Sequence, residues 1–182
     1  KTYKDSILEF PKTIYYDCKK DKKVKVNFNF PIILKPSNVI MYNHIEYEGK
    51  KKIYKVETED ELNEVICKIK ENGYTDTLIL QEFIPGDDSY LFDAVVYADK
   101  NAKVKLVSFA QIGLQEHAGR MVGNAAILMN GYNTYDGNVK DMVDQITTFM
   151  ESIGYQGFAE FDMKYDYRDK KFKVLEINAR QG

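Results

Sequence analysis

The sequence predicts an α+β fold that is built mainly on antiparallel strands. Two amphipathic helices stand among about eight strand-like runs of apolar or alternating residues. Several of these runs follow one another through short polar turns, and strands joined in this way pair as antiparallel neighbours. A parallel sheet would instead need a long crossover connection between strands. The chain is therefore expected to form one α+β domain or two small α+β lobes.

Elements of the first half follow from hydrophobic runs and from the residues that begin or end them. Thr58 and Glu61 form a capping box that begins a helix, and apolar residues recur at helical spacing until Gly73. Lys35 precedes a proline, which favours extended geometry at the end of its strand. The other elements predicted here are a short helix at Asp5–Glu9 and strands at Thr13–Tyr16, Phe30–Lys35, Lys51–Val56 and Thr77–Phe83.

Elements of the second half are mostly strands. Asn138 caps the second amphipathic helix, which ends at Gly154. A looser, glycine-containing segment is expected before this helix. The predicted strands are Ser89–Asp99, Lys103–Leu114 and the two arms of a final hairpin, GFAEFDMKYD and KFKVLEINARQG.

Composition excludes several classes of function. With 26 basic and 28 acidic residues the net charge is -2, which argues against a general binder of nucleic acid or of membrane surfaces. Cys18 and Cys67 lie far apart without metal-binding spacing, so we expect neither a disulfide framework nor a zinc site, and a reducing cytoplasm is the expected location. No apolar run approaches the length of a membrane span. The chain begins at Lys1 rather than Met, so a fragment of a longer protein is expected.

Carboxylates alternate along both arms of the final hairpin. Strand side chains alternate between faces, so Glu160 and Asp162 share one side of the first arm, and Glu176 and Asn178 share one side of the second. A turn with an odd number of residues, such as Arg168–Lys170, would place Asp162 opposite Glu176 and Glu160 opposite Asn178. Like charges that face each other across a hairpin repel, and a hard cation such as Mg²⁺ compensates for that repulsion.

Two interpretations of this acidic face are open. Alternating acids on a hairpin are typical of a solvated outer face, which needs no ligand. Val174, Leu175 and Ile177 lie close to the acid and the amide, however, and this is unusual for an exposed strand. The apolar neighbours favour a metal clamp.

Two further segments carry polar groups at strand ends. Lys35 follows an apolar strand, where a partly buried ammonium needs an anion such as phosphate. The segment LILQEFIPG runs from an apolar strand into a Pro-Gly turn. Its backbone can face the edge of a purine, with Gln81 or Glu82 at the exocyclic amino group and Asp88 at the ribose hydroxyls. An ordinary strand exit is the alternative.

Together these segments resemble the ATP-grasp superfamily, in particular its carboxylate-amine ligase branch, which includes D-aspartate ligases and the large-chain domains of carbamoyl phosphate synthetase. The resemblance covers nearly the whole chain. The stretches that carry it are FPIILKPSN, KVETEDEL, LILQEFIPGDDSY, GYQGFAEFDMKYD and LEINARQG.

The resemblance implies two α+β lobes, residues 1–83 and 84–182, that hold ATP in the cleft between them. Lys35 would lie on the adenine and α/β-phosphate side of the nucleotide. The second lobe would contain the metal-binding hairpin. The remaining residues implied to bind the nucleotide are Gln81, Glu82, Phe83, Ile84 and Asp88, and those implied to bind Mg²⁺, or Mn²⁺ as an alternative ion, are Asp162, Glu176 and Asn178.

The implied reaction joins a small-molecule carboxylate to an amine through an acyl phosphate. Arg180 would lie beside the transferring phosphate, and Arg120 would contact the carboxylate or the γ-phosphate unless it is a surface loop residue. The loop after Lys35 has a single glycine, Gly49, where many relatives have a glycine-rich flap. A small-molecule kinase on the same fold and a nucleotide-binding module without activity are the alternatives.

Overall fold

The structure, a computed structural model, describes residues 6–116, 125–130 and 138–181. The strands in these residues are β1 (Thr13–Asp17), β2 (Ile32–Pro36), β3 (Tyr54–Val56), β4 (Thr77–Glu82), β5 (Leu91–Ala98), β6 (Val104–Gln115), β7 (Ala125–Asn130), β8 (Gly157–Asp166) and β9 (Lys171–Asn178). The helices are α1 (Val39–Asn43), α2 (Glu59–Glu71) and α3 (Val139–Ser152), with a single 3-10 turn at Asp88–Tyr90.

Residues Pro11–Phe83 form one compact unit. Its sheet has the strand order β1-β4-β2-β3, and all three pairings are antiparallel. Helix α2 begins as the capping box predicts, because the Thr58 hydroxyl accepts a hydrogen bond from the backbone N–H of Glu61 at 3.2 Å. Its buried residues, Leu62, Ile66 and Ile69, complete a core with the strands.

The described residues before Pro11 and from Ile84 onward form the other unit. Its antiparallel sheet has the order β7-β6-β5-β8-β9. The apolar stripe of α3 packs on one face of this sheet around Phe92 and Phe161, both fully buried. The opposite face of the sheet, which we call the open face, contains the predicted metal-binding residues Asp162, Glu176 and Asn178.

The α+β class and the antiparallel sheets are confirmed, but some elements differ from expectation. The described part of the predicted Asp5–Glu9 helix, from Ser6 on, is not helical. Leu8 is buried instead in the core of the second unit, and the Glu9 carbonyl accepts a hydrogen bond from Val174 N–H at 2.8 Å. A helix this short has no stability of its own, and tertiary contacts decide its conformation.

Two short elements were not predicted. Helix α1 is capped by Asn38, whose side chain accepts a hydrogen bond from Met41 N–H at 3.0 Å. Strand β7 lies at the sheet edge and pairs with β6. The strand expected at Lys51–Val56 begins only at Tyr54. The described residues include no helix that has both the length and the apolarity to cross a membrane.

Candidate active site

The β8–β9 hairpin pairs the residues that the sequence analysis placed together. Asp162 lies opposite Glu176, and Glu160 lies opposite Asn178. The expected register is confirmed, but its expected cause is wrong. The connection between the strands, residues 167–170, has an even number of residues, and the register shifts by one residue after Met163.

This β-bulge decides which face of the sheet the acids occupy. Near the turn, Met163 pairs with Val174, and both are fully buried in the core. If that register continued, Glu176 would lie opposite the buried Phe161. The extra residue, Leu175, reverses the alternation, and Glu176 moves to the face that carries Asp162. The bulge therefore places the carboxylates on the open face of the sheet.

Asp93 adds a fourth carboxylate to this face, beside Glu160, Asp162 and Glu176, and it was not predicted from the sequence. It lies opposite Asp162 on the neighbouring strand β5 and is only 8% exposed. Among the residues that the structure describes, its Oδ1 has no hydrogen-bond partner. Burial, together with the charges of Glu160 and Asp162, raises the pKa of Asp93 to about 7. The electrostatic potential at the centre of this face is therefore negative.

Asn178 and Arg180 at the end of β9 point to the same group of acids. The Asn178 side-chain amide donates to Asp162 Oδ2 at 3.1 Å and to Glu160 Oε2 at 3.4 Å. Arg180 Nη1 donates to the same Glu160 oxygen at 3.3 Å. Glu160, which the sequence analysis left without a role, therefore contacts both the predicted metal ligand and the predicted catalytic arginine.

The donor set at the hairpin fits a small hard cation. Oxygens that share an octahedral Mg²⁺ lie roughly 3 Å apart, since each is about 2.1 Å from the ion. The Asn178 amide nitrogen already lies 3.1 Å from Asp162 Oδ2, so turning the amide by 180° would present an oxygen there. In the described residues no group of three His, Cys, Asp or Glu side chains has the geometry of a metal site. The fit therefore depends on two carboxylates and one amide.

Lys164 occupies the same face, two residues beyond Asp162. Its ammonium donates to the carbonyl oxygen of Gly86 at 2.6 Å, in the turn that follows β4. Burial lowers the pKa of Lys164, and the negative charges of Asp88 and Asp87 partly oppose this shift. Of the predicted nucleotide-binding residues in this unit, Ile84 is buried and Asp88 begins the 3-10 turn.

Lys35 and Gln81 share one face of the four-stranded sheet. In the register of β2 and β4, Lys35 lies opposite Ile79 and Ile33 opposite Gln81. The other face of these strands packs on the helices. Gln81 is buried, and its amide nitrogen lies 3.5 Å from the hydroxyl of Thr13.

Glu82 and Phe83 lie at the end of β4. The backbone of Glu82 donates to the Lys12 carbonyl at 2.8 Å, so this residue continues the pairing with the first strand. The ring of Phe83 lies 4.9 Å from the ammonium of Lys55. Strand alternation puts Glu82 on the face opposite Gln81. Arg120, the other predicted catalytic residue, lies outside the described residues.

Tyrosine hydroxyls fix the loop that follows α1. The hydroxyl of Tyr42 lies 2.6 Å from that of Tyr47 and 3.0 Å from that of Tyr54. Tyr42 donates to the Lys51 carbonyl, and Lys51 N–H donates to Tyr54. Burial and these hydrogen bonds raise the pKa of Tyr42. A loop with one glycine, Gly49, is thus tied to the helix and to β3.

No model of a known protein family matches the chain. In sequence the chain is 39% identical over 155 residues to the D-aspartate ligase of Enterococcus faecium. That alignment covers 85% of the chain and 35% of the ligase, so the chain spans just over a third of the length of this curated relative.

Solved structures with the same fold are also ligases or synthetases. The L-amino acid ligase of Bacillus licheniformis matches 99% of this chain and 38% of its own length, with a TM-score of 0.66 and 17% identity. This chain has the ATP-grasp fold. Other ATP-grasp structures match over slightly less of the chain. N5-carboxyaminoimidazole ribonucleotide synthetase in its ADP complex covers 96% of this chain and 41% of its own, with a TM-score of 0.65 and 12% identity. D-alanine–D-alanine ligase of Bacillus anthracis complexed with ATP covers 94% and 48%, with a TM-score of 0.56 and 14% identity.

Within this ATP-grasp fold, the structure adds three residues to the predicted site: Asp93, Glu160 and Lys164. Each lies on the open face of the five-stranded sheet with Asp162. A signal for Asp93 was present in the sequence, since it is a single acid inside the otherwise apolar run YLFDAVV. Glu160 and Lys164 have the same alternation as Asp162, so they share its face.

Proposed function

We propose that this chain is the ATP-binding part of an ATP- and Mg²⁺-dependent ligase that joins a carboxylate to an amine through an acyl phosphate. The observation that carries the proposal is the hairpin register, which brings Asp162, Glu176 and Asn178 together beside Arg180. The sequence identity to a D-aspartate ligase supports the same reaction class. Because the chain spans only part of that relative, the activity of the whole protein is part of this proposal.

Asp162, Glu176 and Asn178 would hold Mg²⁺, with Mn²⁺ as an alternative ion. When bound, the ion neutralises charge on the β- and γ-phosphates of ATP. Glu160 would release the Asn178 amide as the amide turns its oxygen toward the ion. Its contact with Arg180 would then keep the guanidinium close to the γ-phosphate.

We assign nucleotide binding to Lys35, Gln81, Phe83, Ile84 and Asp88. Lys35 would pair with a phosphate, since an ammonium on a strand between apolar neighbours is best balanced by an anion. Gln81 is the better candidate for the adenine amino group, because it shares a face with Lys35 while Glu82 lies on the opposite face. Phe83 and Ile84 would offer their backbone groups to the purine edge, and Asp88 would accept from the ribose.

The chemical step follows from charge and position. An oxygen of the substrate carboxylate attacks the γ-phosphorus, ADP leaves, and an acyl phosphate remains. The amine then attacks the carbonyl carbon, an amide forms, and inorganic phosphate leaves. Arg180 would stabilise the negative charge that develops on the transferring group.

An amino acid is the expected carboxylate substrate, and D-aspartate is the first to test because the curated relative is named for it. Since ATP is consumed and Cys18 and Cys67 are free thiols, we place the reaction in the cytoplasm.

Trapping with hydroxylamine tests this function directly. The purified protein is incubated with Mg²⁺, ATP and D-aspartate, and with other amino acids in parallel. We expect ADP and an acyl hydroxamate in equal amounts, because hydroxylamine captures the acyl phosphate. Arg180→Gln should lower the rate about 100-fold while ATP still binds. Transfer of phosphate to a hydroxyl acceptor without hydroxamate would instead identify a kinase, and ATP binding without ADP formation would identify an inactive module.

A further inference from the structure

Two side chains hold the segment Gly86–Ser89 by its backbone carbonyls. The ammonium of Lys164 donates to the Gly86 carbonyl at 2.6 Å. The side-chain amide of Gln111 donates to the Ser89 carbonyl, also at 2.6 Å. Gln111 is 1% exposed, and burial of Lys164 is deep enough to lower its pKa. Hydrogen bonds of buried polar side chains are costly to lose, since the partner left behind is desolvated.

The two side chains reach the segment from opposite faces of the five-stranded sheet. Lys164 lies on β8 opposite Leu91, on the open face with Asp162. Gln111 lies on β6 opposite Phe92, whose side chain is in the core beneath the sheet. Strand β5 lies between β6 and β8 in the sheet and begins at Leu91, two residues after Ser89. Lys164 and Gln111 therefore act as a clamp with one arm on each side of the sheet.

The segment itself is shaped to fit this clamp. Gly86 has a φ of +110°, and a Cβ placed there would lie 2.5 Å from Cδ2 of the Tyr90 ring. Asp87 caps the 3-10 turn, since its carboxylate accepts from Ser89 N–H at 3.0 Å. The Tyr90 ring in turn packs edge-on against Tyr167, with 5.6 Å between ring centroids. The carbonyls of Gly86 and Ser89 are thus held toward the two arms.

We propose that Lys164 and Gln111 are positioning residues that fix Asp88 relative to strand β8, and that this clamp preorganises the nucleotide site. The inference rests on the proposed function, in which Asp88 accepts from the ribose and Asp162 of β8 binds the metal ion. Lys164 links Asp88 to Asp162, because it lies two residues from Asp162 on β8 and its ammonium donates a hydrogen bond to the Gly86 carbonyl, two residues before Asp88. A preorganised site binds its ligand more tightly because less ordering is required on binding.

Two measurements on the same variants test the clamp. Hydrogen exchange of the amides of Asp87–Tyr90 reports on the clamp without any ligand. Calorimetry with a non-hydrolysable ATP analogue and Mg²⁺ reports on the nucleotide site. In Lys164→Met we expect these amides to exchange at least about tenfold faster and the analogue to bind about tenfold more weakly. Lys164→Arg should retain most of the affinity, since a guanidinium can donate to the same carbonyl.

The controls separate positioning from general stability. Lys100→Met removes the same charge from an exposed turn and should change neither measurement. When rates at limiting and saturating ATP are compared, Lys164→Met should raise KM for ATP by a larger factor than it lowers kcat, as expected for a residue that positions the nucleotide site. Gln111→Met removes the hydrogen bond of the other arm of the clamp. It should accelerate exchange at the same amides, and it tests the clamp even if Lys164→Met does not fold.

Each result decides a separate claim. Unchanged exchange in both Lys164→Met and Gln111→Met would overturn the clamp. Faster exchange with unchanged affinity would overturn its role in nucleotide binding. Equal losses in Lys164→Arg and Lys164→Met would also contradict the proposal, since a donor at this position would then not matter. If the unaltered protein binds no analogue, the proposed function itself is wrong, whereas the exchange result still tests the clamp.

Discussion

Asp93 is the most buried of the described acids on the open face of the five-stranded sheet. It is buried beside Glu160 and Asp162, and burial together with their charges raises its pKa to about 7, whereas an aspartate in an unfolded chain titrates near 3.9. Between about pH 4 and pH 7 the folded protein therefore keeps a proton that the unfolded chain has released. Its effect on stability is unfavourable and grows as the pH rises.

Asp93→Asn should remove this dependence on pH. We expect the free energy of unfolding of the unaltered protein to fall relative to the variant as the pH rises from about 4 to about 7, by at most about 1.4 kcal/mol per pH unit. Urea unfolding with EDTA across this range measures the difference. Asp99→Asn is the control, because hydrogen bonds from the Lys103 and Asn101 backbones lower the pKa of Asp99. Parallel curves for the unaltered protein and Asp93→Asn would contradict the assignment.

At the scale of elements, the residue pairing of the β8–β9 hairpin was predictable from the sequence, but the β-bulge that produces this pairing was not. Strand alternation correctly paired Asp162 with Glu176, although the turn has an even number of residues and a bulge at Leu175 restores the pairing. The run KVLEI contains no glycine or proline that would mark a bulge, so its position depends on packing around Phe161. Helix α1 was missed for a similar reason, since five residues show too little periodicity.

The turn after β4 gives a prediction at this scale. Gly86→Ala should lower the free energy of unfolding by about 3 kcal/mol, because alanine at a φ of +110° is strained and its Cβ overlaps the Tyr90 ring. Gly154→Ala is the matched control. It also has a positive φ, of +67°, but nothing lies within 4 Å of the added atom, so about 1 kcal/mol is expected.

The comparison of the two variants isolates the contact with Tyr90. Urea unfolding of Gly86→Ala, Tyr90→Ala and the double variant forms a cycle that measures the coupling between the two positions. We expect the two substitutions together to cost less than their sum. Equal losses in Gly86→Ala and Gly154→Ala, or strict additivity in the cycle, would show that the turn is not packed as described.

At the scale of the whole molecule, each unit has its own core and its own part of the predicted chemistry. One unit carries Lys35 and Gln81, and the other carries the acids of the hairpin. Sequence reasoning found these groups because each stands at a strand end or on an alternating strand. It did not predict Asp93 or Lys164, because the contacts of these residues come from a neighbouring strand or turn that is distant along the chain.

Calorimetry of ATP binding with and without Mg²⁺ tests the central claim, that the hairpin grips a divalent ion. In the unaltered protein Mg²⁺ should strengthen ATP binding, and the double substitution Glu176→Ala and Asn178→Ala should abolish that gain. The matched control removes the same groups from exposed positions of helix α2, Asn63 and Glu64, and should bind like the unaltered protein. A gain from Mg²⁺ that survives the loss of Glu176 and Asn178 would contradict the account.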